Sequence, residues 1–378
     1  MSNNTTLEYL FVRYPSINAI LEEFAPAGPM AEKIIPPIWY ALGFIGNPIS
    51  AVIWLGQRMR RNNSSAIYLG ALSISDMVFL LLNLLYIVHV AWGYDVYNDH
   101  IICEIFHFIY YVPQYLSTFL VLGFTAERYV AVCYPFLKEK WCTVRRAAGI
   151  VAFLVMFSIA LSSAQSYIWT YSPPKEVCEI RPGALIGDEM SFWNLWTWVT
   201  DILAFGLVPL IVLFFNILVL KEICKISRND LVKRQQSRQT SSTASTLTLL
   251  AVSFYLIVTQ FSATILVCLQ HAFPYGDPYL SDREIREDAL WSNLFSYLEV
   301  RKIVEVLCLS HYSCYFFIYC LTGKHFRKEV VFLATLQGRL PFLATLLSRR
   351  RGKEHYSMVS TNGGHMSETF TTNFSTTM

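Results

Sequence analysis

Charge is scarce in this chain of 378 residues, since Asp, Glu, Lys and Arg together make up 15% of it. A soluble globular domain carries about 25% of such residues. Hydrophobic residues account for 54% of the chain, and the mean hydropathy is +0.39. These figures leave too little polar surface to cover a body surrounded by water, and they exclude disorder for most of the chain. They predict an integral membrane protein.

Other residue types are too few for several classes of protein. With 17 Gly, 15 Pro and 9 Cys, the chain is neither collagen-like nor a small disulfide scaffold. The first 33 residues hold no apolar core flanked by basic residues, so we expect no cleaved signal peptide. Phosphate-binding loops, nucleophile–base patterns and histidine pairs at helical spacing are also missing. We therefore expect no enzymatic activity, no cofactor, no metal centre and no nucleic-acid partner.

Seven stretches are long and apolar enough to cross a bilayer, whose hydrocarbon core takes about 20 residues of helix. Several run longer, as tilted helices that project beyond the membrane do. The predicted spans are residues 36–57, 66–92, 102–133, 147–170, 195–225, 241–270 and 298–320.

The distribution of basic residues orients these spans, because Lys and Arg favour the cytoplasmic side of a membrane. The loops on one side, together with the segment after position 323, hold 21 basic and six acidic residues. The opposite loops and the N-terminal segment hold six basic and 15 acidic residues. The sequence therefore predicts a multi-pass plasma-membrane protein with its N-terminus outside the cell. Asn3 and Asn4 begin Asn-x-Thr patterns in the outer segment and are predicted glycosylation sites.

The chain divides into four predicted segments. They are an extracellular N-terminal segment (1–35), a seven-transmembrane domain (36–322), a membrane-surface amphipathic segment (323–350) and a cytoplasmic tail (351–378). The tail is rich in Ser and Thr with almost no apolar residues, so we expect it to be disordered. Phosphates added there would supply negative charge for a basic, arrestin-type groove.

Polar residues inside a span are costly and therefore usually functional. The third span ends in Glu127-Arg128-Tyr129, and Pro135-Phe136 follows in the next loop. Here the chain resembles the rhodopsin-like (class A) G-protein-coupled receptors, whose third helix ends in Asp/Glu-Arg-Tyr with a Pro seven residues beyond the Arg. The resemblance implies an ion pair between Glu127 and Arg128. It also implies that the released Arg128 contacts a G protein, with Phe136 as an apolar contact in the second inner loop.

Further markers extend the resemblance over residues 36–330. They are Asn47 in span one, Asp76 in span two, Pro209 and Asn216 in span five, and Tyr319 in span seven. Cys103 and Cys178 match the family's extracellular disulfide, and residues 319–327 resemble its eighth helix, which lies on the inner leaflet. The implied fold class is an all-α membrane protein, a seven-transmembrane helix bundle with a short amphipathic eighth helix.

Two of the family's motifs are altered. The Asn-Pro-x-x-Tyr of span seven is replaced by Tyr315-Phe-Phe-Ile-Tyr319. Aligning span six on Phe254 puts Val258 and Gln260 at the Trp and Pro of the Cys-Trp-x-Pro motif. The same alignment puts Thr240 where many relatives carry an acid that holds the Arg of span three. We therefore expect a weak resting lock and measurable basal activity.

The polar core of the bundle is altered too. Asp76 and Ser117 match residues that bind sodium in the family, but His311 and Tyr315 replace the partners from span seven. Sodium binding at Asp76 and Ser117 is therefore left open. Asp76 can alternatively accept hydrogen bonds from Asn47 or Tyr315.

Single residues argue against two ligand classes: retinal is excluded, and a biogenic amine is disfavoured because its counter-ion is lost. Alignment on Tyr319 puts Leu309 where opsins carry the retinal-binding Lys, and a Schiff base requires an amine. Alignment on Arg128 puts Tyr110 where amine receptors carry an Asp. The remaining candidates for ligand contact are polar or aromatic residues in the outer half of the bundle: Tyr86, Tyr110, Gln114, Asp201, Phe261, Arg301 and Glu305. Packing between helices is an alternative for the aromatic residues, and a mutual ion pair is an alternative for Arg301 and Glu305.

The acidic outer side attracts cationic ligands, and residues 315–321 resemble the span-seven ending of FMRFamide-like neuropeptide receptors. We expect a receptor that couples binding of an extracellular cationic neuropeptide to a heterotrimeric G protein, with an arrestin-type protein and membrane lipid as further partners. The alternatives are a seven-span decoy or scaffold that does not signal and a secondary transporter. The sequence shows none of the internal symmetry that is common in transporters.

Overall fold

The computed structural model describes residues 10–14, 16–61, 63–173, 176–181, 184, 191–232 and 240–335. The chain forms two compact units, residues 1–330 and residues 331–378. The predicted glycosylation sites Asn3 and Asn4 and the predicted tail 351–378 lie outside the described residues. Below, "outer" and "inner" name the two ends of the bundle according to the orientation that the basic residues predict.

Seven spans are found among the described residues. Six are continuous helical stretches long and apolar enough to cross a membrane, and a pair of consecutive helices bent by 42° makes the seventh. In chain order the spans are Ala27–Leu55, Ser65–Val90, His100–Cys133, Val144–Ser162, Phe192–Val232, Thr240–Leu269, and Ala289–Cys308 with His311–Thr322. Short helices lie at Leu10–Arg13, Ile17–Phe24, Gln57–Arg60, Pro135–Trp141, Gln165–Ile168, Asp282–Glu287 and Lys324–Ala334, with a 3-10 turn at Gln270–Ala272. The predicted seven-span bundle is confirmed.

Span one begins at Ala27, well before the predicted residue 36. Its extra turns pack along the outer part of span seven. The backbones of these two helices approach closely at Gly28, where an added Cβ would lie 3.3 Å from the Cα of Glu299. The carboxylate of Glu32 accepts a hydrogen bond of 2.6 Å from Lys302, and the two side chains are only 12% and 16% exposed. Because Lys302 neutralises Glu32, the first turns of this helix can pack against span seven although they carry a charged residue.

The N-terminal segment is folded against the third outer loop and span seven. The backbone N–H of Leu10 donates to the carbonyl of Pro278 at 2.8 Å, and Arg13 pairs with Asp282 at 2.6 Å. Partial burial and the neighbouring Asp282 carboxylate raise the pKa of the Tyr14 hydroxyl. Beneath these contacts lies a buried apolar cluster, called here the outer lobe: Leu10, Ile20, Leu21, Ala25, Ile285, Trp291, Leu294, Phe295 and Tyr297. The sequence predicted an extracellular segment here but not its packing.

Span five contains a π-helical segment, Ile202–Leu207, between the α-helices Phe192–Asp201 and Val208–Val232. A π turn widens the helix and weakens its regular hydrogen-bond ladder. The hydroxyl of Thr264 on span six donates to the carbonyl of Phe205 at 2.8 Å. Such segments occur frequently at functional sites, and this one follows directly after Asp201.

The second outer loop forms a hairpin that the sequence analysis did not predict. Strand β1 (Trp169–Ser172) pairs antiparallel with strand β2 (Val177–Ile180). The predicted disulfide Cys103–Cys178 is confirmed and ties β2 to the outer end of span three, with the two Cα atoms 5.6 Å apart. The ring of His107 stacks on Trp169 with centroids 3.7 Å apart. Cys103, His107 and Cys178 lie close enough to hold a metal ion, but the disulfide consumes both thiolates that such a site requires.

The eighth helix, Lys324–Ala334, follows span seven after Gly323. Phe326 is buried, and its ring lies 5.2 Å from that of Trp54 and 5.3 Å from that of Tyr319. These aromatic contacts attach the first turns of this helix to the inner ends of spans one and seven.

Candidate functional site

The outer half of the bundle contains a hydrogen-bonded chain of residues from spans one, two and three. The hydroxyl of Tyr40 donates to Oδ1 of Asn83 at 2.7 Å, and Nδ2 of Asn83 donates to the hydroxyl of Tyr110 at 2.9 Å. The ring of Tyr86 stacks on that of Tyr110 at 5.3 Å. The structure therefore brings two of the predicted ligand residues, Tyr86 and Tyr110, together on one aromatic wall.

Asp201 lies at the end of the first helix of span five. Its Oδ1 accepts a hydrogen bond of 2.8 Å from the hydroxyl of Tyr115 on span three. The same hydroxyl lies 3.3 Å from that of Thr200. No Lys or Arg of the described residues forms an ion pair with Asp201. Tyr115, one turn inward from Tyr111 on span three, was not among the residues predicted from the sequence.

Two other acids at the outer ends of the spans, Glu305 and Glu32, have basic partners. Nε of Arg301 lies 2.8 Å from Oε1 of Glu305, and its Nη1 donates to Oε1 of Gln270 at 2.8 Å. Lys302 neutralises Glu32 in the same way. The ion pair that was the alternative for Arg301 and Glu305 is thus present, and Asp201 differs from these acids in having only hydroxyl partners.

Two further candidates show no contact that favours ligand binding. Nε2 of Gln114 donates to the carbonyl of Tyr110 in its own helix at 3.2 Å. Phe261 is half-buried beside Gln260 on span six. Their roles in ligand binding stay predictions.

Neither of the direct hydrogen bonds considered as alternatives for Asp76, from Asn47 or from Tyr315, is formed among the described residues. Oδ1 of Asp76 accepts a hydrogen bond of 2.7 Å from Ser117. Nδ2 of Asn47 donates instead to the carbonyl of Tyr312 on span seven at 2.8 Å. Oδ2 of Asp76 and the hydroxyl of Tyr315 are buried without a hydrogen-bond partner among the described residues. Sodium at Asp76 and Ser117 stays a prediction.

The inner end of span three also departs from expectation. The carboxylate of Glu127 accepts hydrogen bonds from Ser64 at 2.7 Å and from Ser65 at 2.8 Å. Arg128 instead donates through Nη2 to Oδ1 of Asn63 at 3.1 Å. The ion pair expected between Glu127 and Arg128 is therefore not formed, because the first inner loop and the start of span two supply separate polar partners to both.

The other residues expected to contact a G protein differ in their exposure. Phe136 on the short helix Pro135–Trp141 is 96% exposed. Tyr129 places its hydroxyl 3.5 Å from that of Tyr134. Tyr319 is fully buried, its ring lies 5.3 Å from that of Trp54, and its hydroxyl has no partner among the described residues.

The alignment of span six on Phe254 is corrected by burial. Phe254 is 63% exposed and Val258 is 47% exposed, whereas Gln260 is 6% exposed. Residues four apart share a helix face, so Phe254 and Val258 face outward while Leu256 and Gln260 face the bundle. Gln260 therefore occupies the inward position that the alignment had given to Val258. The role given to Thr240 depended on the same alignment, and its side chain lies outside the described residues.

The comparison with known families agrees with this geometry. The family described as "7 transmembrane receptor (rhodopsin family)" matches residues 47–300. The chain belongs to this family. It is a transmembrane receptor of the G-protein-coupled class, and its outer loop carries the disulfide described above.

Individual relatives are more distant. The chain is 23% identical to human C-C chemokine receptor type 1 over 304 residues, 78% of each chain. It is 23% identical to C-C chemokine receptor type 3 of Macaca fascicularis over 320 residues, 83% of each chain. It is 26% identical to the cephalotocin receptor 1 of Octopus vulgaris over 143 residues, 37% of this chain and 35% of the relative.

Proposed function

We propose that the chain is a plasma-membrane receptor, with its N-terminus outside, that binds an extracellular peptide and activates a heterotrimeric G protein. The observation that carries the proposal is the pairing of two sites in one bundle. Among the described residues Asp201 in the outer half has no basic partner, while the inner end carries Arg128, which is bonded to Asn63, and the exposed Phe136. Relatives named for chemokines and for cephalotocin support a peptide as the ligand.

The ligand that suits the outer site is cationic. A carboxylate inside a membrane protein is costly and is usually paired, and Asp201 has only hydroxyl partners among the described residues. A ligand Arg would supply a planar cation with two parallel donors. Glu305 is a weaker candidate because Arg301 already neutralises it. Tyr86 and Tyr110 offer stacked rings for an aromatic residue of the same ligand.

The outer surface favours the approach of such a ligand. With 15 acids against six bases on the outer side, the long-range field attracts cations before contact. We infer a cationic neuropeptide, in keeping with the resemblance of residues 315–321 to neuropeptide receptors.

On the inner side, activation releases Arg128 from Asn63. A ligand shifts a two-state bundle only through its different affinity for the two states. In the active state the guanidinium would contact the G protein, while Phe136 inserts into an apolar pocket of the same partner. The inner tail, once phosphorylated, would bind an arrestin-type protein, and the helix Lys324–Ala334 would lie on membrane lipid.

The altered motifs of spans six and seven favour one second candidate, a decoy that binds ligand without signalling. A neuropeptide library screened against the purified receptor, with nucleotide exchange on a G protein as the readout, separates the two. Binding with stimulated exchange supports the receptor. Binding without exchange supports the decoy, and transmembrane flux of the ligand would support a transporter. The variant Arg128→Gln serves as the matched control, since it should retain binding and lose exchange.

A further inference from the structure

Span seven is broken at residues 309–310 without the usual cause of a break. The helices Ala289–Cys308 and His311–Thr322 meet at 42°, and the sequence from 289 to 322 contains neither Pro nor Gly. Sharp bends otherwise arise at π-bulges or where a side chain enters the hydrogen-bond ladder. The ladder around the break shows the second cause.

In an unbroken helix the N–H of Tyr312 would donate to the carbonyl of Cys308, four residues earlier. Here it donates to the carbonyl of Leu309 at 3.2 Å. The carbonyl of Cys308 instead lies 2.7 Å from Nδ1 of His311. The imidazole of His311 thus takes the place of the Tyr312 N–H as the donor to the carbonyl of Cys308.

This contact fixes the tautomer of His311. A carbonyl oxygen can only accept, so Nδ1 carries the proton, and in the neutral ring Nε2 is left as an acceptor. Nε2 of Gln260 on span six lies 3.3 Å from that acceptor. The break in span seven therefore produces the acceptor that the buried amide of Gln260 requires.

A second contact joins the same two spans at the neighbouring residue. The hydroxyls of Tyr255 on span six and Ser310 on span seven share a hydrogen bond of 2.7 Å. Tyr255 and Gln260 thus bond to two consecutive residues, Ser310 at the break and His311 directly after it. Gln260 lies on the inward face where the family's Trp was expected, and the chain has no Pro in span six to bend that helix.

We propose that Tyr255 and Gln260 form a latch that holds span six against the break in span seven and restrains the switch to the signalling state. Spans six and seven cannot move past each other without breaking both hydrogen bonds, which leaves buried polar groups unpaired. The break and its contacts stand on their own geometry. The signalling consequence rests on the proposed coupling to a G protein.

Two substitutions that keep side-chain size test the latch in the full-length receptor. Gln260→Leu and Tyr255→Phe should each raise ligand-free nucleotide exchange about fivefold, which corresponds to about 1 kcal/mol for one hydrogen bond. Hydrogen–deuterium exchange across residues 306–316 should rise in the same variants. The double variant Gln260→Leu/His311→Phe should show no more than the larger single effect, because residues in direct contact are not additive. His311→Gln, whose amide oxygen can accept from Gln260, should stay nearer to wild type than His311→Phe.

Ser262→Ala is the matched control, because its hydroxyl donates to Val258 within span six at 2.8 Å and crosses to no other span. The latch is overturned if Gln260→Leu and Tyr255→Phe match wild type in both measurements at normal surface level. Additive effects in the double variant, or faster hydrogen exchange with unchanged nucleotide exchange, also overturn it. If the wild-type receptor stimulates no nucleotide exchange on a G protein, the proposed function is refuted and not the latch. Hydrogen–deuterium exchange across residues 306–316 would then be the measurement that tests whether the two contacts hold the break.

Discussion

The hydroxyl of Tyr115 donates a hydrogen bond of 2.8 Å to the carboxylate of Asp201, linking span three to span five at the point where the latter becomes π-helical. A hydroxyl stabilises a buried carboxylate less than a cation does. This relationship leaves Asp201 available to a positive group, whereas Glu32 and Glu305 already have Lys302 and Arg301.

Asp201→Asn should weaken a cationic peptide at least tenfold, about 1.4 kcal/mol, with little change in surface expression. Glu305→Gln should have a smaller effect, because its ion pair with Arg301 is partly exposed and such pairs contribute about 0–1 kcal/mol. Concentration–response curves for both variants measure this difference.

The control is a peptide in which citrulline, a neutral residue of the same shape, replaces Arg. The citrulline peptide should be less potent than the Arg peptide on wild type. On Asp201→Asn, which has already lost the carboxylate, the two peptides should have nearly equal potency. Equal losses in wild type and Asp201→Asn would show that Asp201 does not recognise the cation.

The disulfide should matter for binding more than for the bundle. Cys103–Cys178 ties the hairpin of the second outer loop to span three. A disulfide typically stabilises the folded protein by about 2–4 kcal/mol, mainly because it restricts the conformations of the unfolded chain. Cys103→Ser and Cys178→Ser should therefore lower ligand binding or surface expression to a similar extent, and the double variant should be no worse. Flow cytometry with labelled peptide measures both quantities. Cys268→Ser, which alters an exposed free thiol on span six, should behave as wild type.

Asn63 should restrain Arg128 in the resting receptor. Its side chain is the hydrogen-bond acceptor that the structure gives to this guanidinium, and a hydrogen bond to a charged group contributes about 1.5–3 kcal/mol. Asn63→Ala should raise ligand-free nucleotide exchange several-fold. Ser64→Ala is the control, because Glu127 keeps the hydrogen bond from Ser65 when Ser64 is lost. Equal basal exchange in both variants and wild type would contradict a restraining role for Asn63.

The tail should act in receptor shut-off. It carries Thr361, Ser367, Thr369, Thr371, Thr372, Ser375, Thr376 and Thr377, and each phosphate adds about −1.5 to −2 charge. Truncation after Arg351 should leave nucleotide exchange intact and slow ligand-induced internalisation. Replacing these eight residues by Ala at full length separates loss of phosphate from loss of chain. Unchanged internalisation in both variants would indicate an inert tail.

The spans themselves could be predicted from the sequence, because the thickness of the bilayer requires a local run of apolar residues. The true start of span one could not. Residues 27–35 include Glu32 and Lys33, which are typical of a segment in water, and Glu32 is accommodated by Lys302, 270 positions away. No local pattern contains that pairing.

Single residues of the site were predicted more reliably than their partners. Asp201 was recognisable because an acid in a span is rare, but its contact with Tyr115 depends on how spans three and five pack. The alignment of span six failed for a different reason. Phe254 was matched by residue type, while the inward face is set by the helical period that buries Leu256 and Gln260.

The outer lobe should set much of the stability of the outer half of the receptor. Trp291 is fully buried within it, stacks on Phe295 at 5.3 Å, and donates through Nε1 to the carbonyl of Asp277 at 3.0 Å. Truncating a buried Trp or Phe to Ala typically costs about 3–5 kcal/mol. Trp291→Ala should therefore lower the thermal unfolding midpoint of the purified receptor and free the N-terminal segment for proteolysis near residues 10–25. Trp92→Ala, at a residue that is 55% exposed, is the control. An unchanged midpoint with an intact N-terminal segment in Trp291→Ala would mean that Arg13–Asp282 and the backbone contact at Leu10 hold the segment without the apolar cluster.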